Sequence, residues 1–356
     1  MARRGPRWRA LASVGVACVA VLVTACSGPA SRPTGHVSAP ASGPGCSLSA
    51  KAVPSCGVLW GVSTRPPTVD TLHALEQKLG RPFDLVYRYH DVNDPVPDAD
   101  ERELVSEGRL LHIAIAARDF AQGTRGSVTW RDVAAGRYDT TLSAQARGIA
   151  SLRVPVFVTF EQEANQRKKL DVVGTPADFK AAWRHLHELY VAAGATNAVW
   201  TWVMTGAEDN LDRALALWPG NDVVDWISWN VYNQSGCNGG TVDPRKFVSF
   251  SEKLRVFYDF VHGAAAAHGV DADKPMMVSE AGSVQYPTQL DLTAGWYASI
   301  PQVLRQYPQI KAVALWDSAT STCNYDFDGV EPVLAAVRQA GRDPWIDVRG
   351  AVRPHG

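Results

Sequence analysis

The 356-residue chain lacks the markers of several common functional classes. It has no charge excess: 35 Lys and Arg against 36 Asp and Glu give a formal net charge of −1. The two signs are mixed throughout, so nothing points to nucleic acid as a partner. No C-x-x-C and no nearby His pair mark a zinc site, and no metal is expected. No G-x-G-x-x-G follows the first apolar run, so a dinucleotide has no phosphate loop, and no cofactor is expected. No internal sequence repeat stands out. The apolar stretch Leu11 to Ala25 is too short to span a bilayer.

That stretch reads instead as the core of an export leader. Arg3, Arg4, Arg7 and Arg9 precede it, and it runs into Val23-Thr24-Ala25-Cys26. Small residues before a cysteine resemble a bacterial lipobox, which implies cleavage before Cys26 and acylation of its thiol. An ordinary secretory signal with a chance cysteine is the alternative; both export the mature protein. Residues 27–45 are mostly Ser, Pro, Gly and Ala and read as a flexible tether. The expected organisation is a signal peptide over 1–25, a tether over 26–45 and one domain over 46–350. The expected location is extracytoplasmic, on a membrane through a lipid at Cys26, and a monomer is expected.

Of six cysteines, Cys18 lies in the leader and Cys26 at the lipid site. Cys46, Cys56, Cys237 and Cys323 remain, an even number in an oxidising compartment. Three pairings exist. The favoured one joins Cys46 to Cys56 in a small N-terminal loop and Cys237 to Cys323 across two strand-end loops.

After the tether, apolar β-rich runs alternate with longer amphipathic ones. Strands are expected over Gly57–Thr64, Phe83–Tyr89, Leu110–Ala117 and Val154–Glu163 in the first half. Ala198–Thr205, Val223–Tyr232, Lys274–Glu280 and Ile310–Trp316 follow in the second, with a helical segment after each strand. Eight such units fit a single α/β domain, a (β/α)8 TIM barrel, and parallel strands covered on both faces should be apolar throughout, as these are. An open doubly wound sheet is the rival.

In such a barrel the chemistry sits at the C-terminal strand ends. Those ends carry Trp60, Arg88 and His90, then Glu161, Gln162, Glu163 and Asn165, then Trp202. Trp229, Asn230 and Tyr232, then Glu280, Trp316 and Asp317 complete the set. Trp202 is a site candidate because it is nearer the rim than Trp200; Trp229 is on the face opposite Asn230 and reads as core. Two carboxylates among aromatics and amides suit a neutral polyol ring. Glycoside hydrolysis needs such a pair, one to protonate the leaving oxygen and one to meet the developing oxocarbenium ion. Position alone does not choose between Glu161 and Glu163; Glu161 can also pair inside the barrel with Arg88.

At these residues the chain resembles glycoside hydrolase family 26, the β-mannanase-type barrels with catalytic glutamates on strands four and seven. AAGRYDTTLSAQARGIASLRVPVFVTFEQEAN resembles the family's G-x-Y-D turn, helix, strand and H-E-x-N. NAVWTWV, WPGNDVVDWISWNVYN, KPMMVSEAGS and IKAVALWD follow in the family's order, so the resemblance covers residues 57–345. It implies Glu163 as proton donor and Glu280 as nucleophile of a retaining, endo-acting hydrolase of a β-glycan. β-1,4-Mannan is the first substrate it implies. It further implies that Asn165, Tyr232 and Trp316 contact the sugar; Gln162, Arg88, His90 and Trp202 are further candidate contacts from their strand-end positions. Gln162 stands where the family usually has His, Thr159 replaces a common Arg, and Gln166-Arg167-Lys168-Lys169 replaces aromatics. Those departures motivate an alternative: a surface glycan-binding lipoprotein on a degenerate hydrolase barrel.

Overall fold

The computed structural model of the protein describes residues 46–121, 127–237, 241–319, 323–346 and 348. The leader, the lipid site Cys26 and the tether lie outside the described residues. Eight strands close into a barrel in sequence order, every neighbouring pair parallel. They are β1 (Leu59–Thr64), β2 (Leu85–Asp91), β3 (Leu110–Ala116), β4 (Val156–Phe160), β5 (Ala198–Thr205), β6 (Trp226–Asn233), β7 (Met276–Ser283) and β8 (Ile310–Asp317).

Helices α1 (Val69–Leu79), α2 (Ala99–Ser106), α3 (Trp130–Ala134), α4 (Asp139–Leu152), α5 (Arg167–Leu170) and α6 (Pro176–Ala192) follow the first four strands. Helices α7 (Leu211–Ala216), α8 (Phe250–Phe260), α9 (Leu290–Ala298), α10 (Ile300–Leu304) and α11 (Glu331–Gly341) follow the rest. Their starts are written in the sequence. Asp98 and Glu101 form a capping box on α2, as Thr175 and Asp178 do on α6, where Pro176 fills the first turn.

Each strand sends alternate side chains inward and outward. The outward set, with Val62, Val86, Ile113 and Val158 among it, packs under the helices as the main core. The inward set begins with one residue from every strand: Leu59, Leu85, Leu110, Phe157, Val199, Trp226, Met277 and Ala312. Burying a residue of this size contributes about 1.5–3 kcal/mol, so this layer fixes the closed barrel from within. The N-terminal hairpin closes its lower end. Ala52 joins the inner cluster, the Trp226 indole donates to the Lys51 carbonyl at 2.7 Å, and Lys51 pairs with Asp225 at 2.8 Å. The Cys46–Cys56 disulfide staples that hairpin, as the sequence suggested.

Above this layer the inward positions turn polar. His112 hydrogen-bonds Thr159 at 2.7 Å and lies under the Tyr87 ring at 4.0 Å. Burial pushes His112 down to about 3, so it is a neutral part of the barrel interior. Ser228 and Ser279 meet at 2.5 Å. This polar layer is the floor beneath the strand ends.

Candidate active site

Strand β4 is shorter than its sequence implied: it stops at Phe160, and Glu161 to Asn165 form a turn. Glu161 and Glu163 both adopt left-handed backbone, φ 52° and 56°. A non-glycine residue there costs about 1–2 kcal/mol and persists only where its surroundings over-determine it. Here they do. The Glu161 amide donates to the Ile115 carbonyl at 2.8 Å, and the Glu163 amide to the Val203 carbonyl at 2.9 Å. Asn165 then locks the turn to β5, accepting from the Thr205 amide at 2.9 Å and donating to the Thr205 and Asn210 carbonyls at 3.3 Å each. Asn165 is fully buried in this role. Its expected sugar contact is therefore corrected: it positions the turn that carries Glu163.

The same turn separates the two acids. Glu161 accepts from the Ala117 amide at 2.8 Å and the Trp130 indole at 3.3 Å, and pairs with Lys169 at 2.8 Å. Its suggested partner, Arg88, is not among these contacts, and its oxygens are spent on bracing the loops. Glu163 instead accepts from Asn230 at 2.9 Å and from the Gln166 side-chain amide.

Glu280 is aimed by an irregularity in β7. Met277 faces the lower inner layer, and strict alternation from it puts Glu280 outside the barrel. Trp229 pairs with Val278 but Asn230 pairs with Glu280, so Ser279 is an extra residue in β7. This bulge makes Ser279 and Glu280 both face inward. Two phenols then converge on the carboxylate: Tyr89 donates to Oε1 at 2.8 Å and Tyr232 to Oε2 at 2.7 Å. A Cβ on Gly282 would lie 3.0 Å from the Tyr232 ring and 3.1 Å from the Tyr325 ring, so a larger residue would press on both rings.

Strand β6 links the two acids, Asn230 reaching Glu163 and Tyr232 reaching Glu280 from the same strand face. Burial, then repulsion from Glu163, pushes Glu280 up to about 7, while the two phenols and Lys169 pull it back. A proton therefore stays with the carboxyl pair near neutral pH. Burial, then the Glu280 charge, holds both phenols well above their ordinary range, so they remain O–H donors. Asn230 Oδ1 is buried and unpartnered among the described residues, so turning this amide would let it accept a proton held by Glu163.

Trp316, partly buried at the end of β8, packs edge-on against Tyr89 at 5.7 Å and is well placed as part of the mouth. The expected Cys237–Cys323 bridge is formed, joining the loops after β6 and β8, and Tyr325 beside it packs on Tyr232 at 4.7 Å. Gln162 sits on the turn between the acids; its carbonyl accepts from Lys169.

Four other expectations are corrected by strand parity. Arg88 and His90 flank the inward Tyr89 and so face outward, where His90 hydrogen-bonds Glu101 at 2.6 Å. Trp60 and Trp202 are outward too; Trp202 packs on Trp218 at 5.0 Å and Phe257 at 6.1 Å. None of these four reaches the mouth. Trp229, stacked on Phe257 at 5.3 Å, is core as expected. Tyr89 was missed by sequence reasoning, although it shares strand parity with Leu85 and Tyr87. Among the described residues one trio could offer ligand atoms to a cation, His90, Asp98 and Glu101, within 4.8 Å of one another. Asp98 and Glu101 are already committed to the α2 capping box and His90 to Glu101.

The phenol pair makes a specific prediction. Tyr89→Phe removes a donor that favours ionised Glu280, so the Glu280 pKa rises. If Glu280 must be ionised for activity, the acidic limb of kcat/KM moves up by roughly half to one pH unit. A pH–rate profile measures it. A loss of plateau rate with the limb unmoved would show only a packing role for Tyr89.

No family sequence model and no curated protein sequence matches the chain. Solved structures do. The barrel is similar to an endo-β-1,4-mannanase of Cellulomonas fimi, in glycoside hydrolase family 26, with 16% identity, 81% of this chain and 71% of that chain covered, and a TM-score of 0.58. A family 26 β-mannanase of Bacteroides ovatus gives 15% identity, 82% and 90% coverage and a TM-score of 0.60. The family 26 domain of an endo-β-mannanase/endo-β-glucanase from Prevotella bryantii gives 12% identity, 84% and 93% coverage and a TM-score of 0.55. Seen with the closed eight-stranded ring, these neighbours give the chain the fold of the family 26 mannanases.

Proposed function

We propose that the protein is a retaining, endo-acting glycoside hydrolase that cleaves a β-glycan. The observation that carries this reading is the Glu163–Glu280 pair, one acid held by amides and the other by phenols, bridged through β6. Two phenol donors favour the charged form of Glu280, which suits a nucleophile. Side-chain amides serve either protonation state of Glu163, which suits an acid that becomes a base.

In the first step a Glu280 oxygen bonds to the anomeric carbon, the glycosidic C–O bond breaks, and Glu163 gives its proton to the leaving oxygen. In the second, Glu163 takes a proton from water, the water oxygen bonds to the anomeric carbon, and Glu280 leaves as a carboxylate. Two inversions give net retention. β-1,4-Mannan is the first substrate to test, since the structural neighbours are mannanases; mixed-linkage β-glucan and β-xylan follow. Trp316 supplies a stacking surface beside the nucleophile, and Gln162 stands where a contact to the same sugar is expected.

We place the enzyme outside the cytoplasm, anchored by a lipid at Cys26 on the tether of residues 27–45. Two disulfides support an oxidising compartment. A polysaccharide screen with mass-spectrometric product analysis tests the reading. Internal oligosaccharides with new reducing ends are expected. A glycan bound without release of reducing ends would replace it with a binding role.

A further inference from the structure

The rim carries cations that the fold does not use. Arg65, exposed just after β1, lies over two rings at once: its guanidinium carbon is 5.1 Å from the Tyr89 ring centre and 5.3 Å from that of Trp316. It forms no hydrogen bond or ion pair among the described residues. Tyr89 is the residue that donates to Glu280 at 2.8 Å, so one aromatic ring separates this guanidinium from the carboxylate.

A neutral sugar stacks its C–H face on an open aromatic surface. Here the two rings beside Glu280 are shared with a cation. The two rings meet edge-on, so the guanidinium sits in the corner between them. Its N–H groups have no protein partner among the described residues, and a guanidinium edge matches a carboxylate in a bidentate pair. The Glu163–Glu280 pair repels an anionic substrate, so a site that binds one needs a cation at this range. More positive charge follows the Glu163 turn in the chain. Arg167 and Lys168 are exposed on α5, directly after the Glu163 turn, and neither has an ion pair among the described residues. Their neighbour Lys169 turns inward to Glu161 and moderates the Glu280 pKa.

We propose that Arg65 binds a carboxylate of the substrate, and that the glycan is therefore an acidic one, a β-glycan carrying uronic acid units. This rests on the hydrolase reading and narrows its substrate class. The test uses a matched pair of probes: β-1,4-mannan and the same mannan partly oxidised at C6 to the carboxylate. Binding is measured by calorimetry on the full-length Glu280→Gln protein, which removes turnover from the readout, and hydrolysis is followed in parallel on the wild type.

The oxidised mannan is expected to bind about 10- to 100-fold more tightly than the neutral one at low salt, an advantage that shrinks as salt is raised. Arg65→Ala in the same background should collapse that ratio, and Arg65→Lys should restore part of it, because the charge returns without the planar fork. Equal loss on both glycans in Arg65→Ala, or a wild type that cleaves neutral mannan and rejects the oxidised form, overturns the acidic substrate and leaves the hydrolase reading standing. Binding of neither glycan overturns the proposal on a mannan backbone, and the polysaccharide screen then decides the hydrolase reading separately.

Discussion

Glu280→Gln is expected to remove hydrolysis and stabilise the fold at the same time. As the proposed nucleophile, Glu280 would supply the bond to the anomeric carbon, so kcat/KM should fall by at least about 10³-fold. Reducing-end release from the glycan that the wild type cleaves measures this. The stability effect has the opposite sign. Burial, then Glu163, raises the folded-state pKa of Glu280 to about 7, against about 4.3 for an unfolded glutamate. Between those values the folded chain binds more protons than the unfolded one. Stability from Glu280 is therefore present in acid and is lost as pH rises through about 7. Glutamine has no charge to lose. At pH 8 the variant should be more stable than the wild type by on the order of 3–4 kcal/mol, and at pH 4 the gap should close. Thermal unfolding at the two pH values reads the difference. A variant that is both inactive and less stable at pH 8 would make Glu280 a structural residue.

The second large effect belongs to Glu163→Ala. Without its proton the natural leaving group departs poorly, and kcat/KM for the glycan should drop by about 10²- to 10⁴-fold. An aryl glycoside with a strongly acidic phenol leaves without that help, so its first step should be almost unaffected, and a burst of phenol should precede slow turnover. Azide, which attacks without a general base, should restore turnover and give a β-glycosyl azide. If activated and natural substrates lose rate by the same factor, Glu163 is not the proton donor. Glu161→Ala serves as the contrast. Its carboxylate braces Ala117, Trp130 and Lys169, so its loss should lower stability and activity together, with no dependence on leaving group.

Much of the architecture was legible because parallel strands covered on both faces announce themselves as apolar runs. All eight strands and their order followed from that alternation, and even cysteine counting with the loop positions favoured the two disulfide pairings that form. What the same uniformity hides is parity. When both faces of a strand are buried, composition no longer says which residues look inward. Arg88 and His90 are the polar residues at the end of β2, yet the inward one is Tyr89 between them. Trp202 is as apolar as a sugar platform would be and faces α8 instead. In β7 even correct counting fails, because the bulge at Ser279 reverses the direction of every residue after it. The turn at Glu161 and Glu163 is a further case. Two non-glycine residues with positive φ have no signature in composition; long-range bonds such as those to Ile115, Val203 and Thr205 hold the turn there.

The cation over the aromatic floor belongs with these. Arg65 follows β1 in a short Arg-Pro-Pro segment, far in sequence from Tyr89 and Trp316, and only barrel closure brings β1 beside both β2 and β8. The adjacency of first and last strands makes that corner of the mouth visible in three dimensions alone.

Glu280 is expected to form a glycosyl-enzyme bond during turnover. The most direct measurement is mass spectrometry of the protein after reaction with a 2-deoxy-2-fluoro β-glycosyl fluoride of the sugar it cleaves, a reagent that slows release of the covalent intermediate. One sugar adduct per chain is predicted, on the peptide that contains Glu280, and it should be absent from Glu280→Gln. An adduct on any other residue, or none from an enzyme that cleaves the parent glycan, would contradict the account.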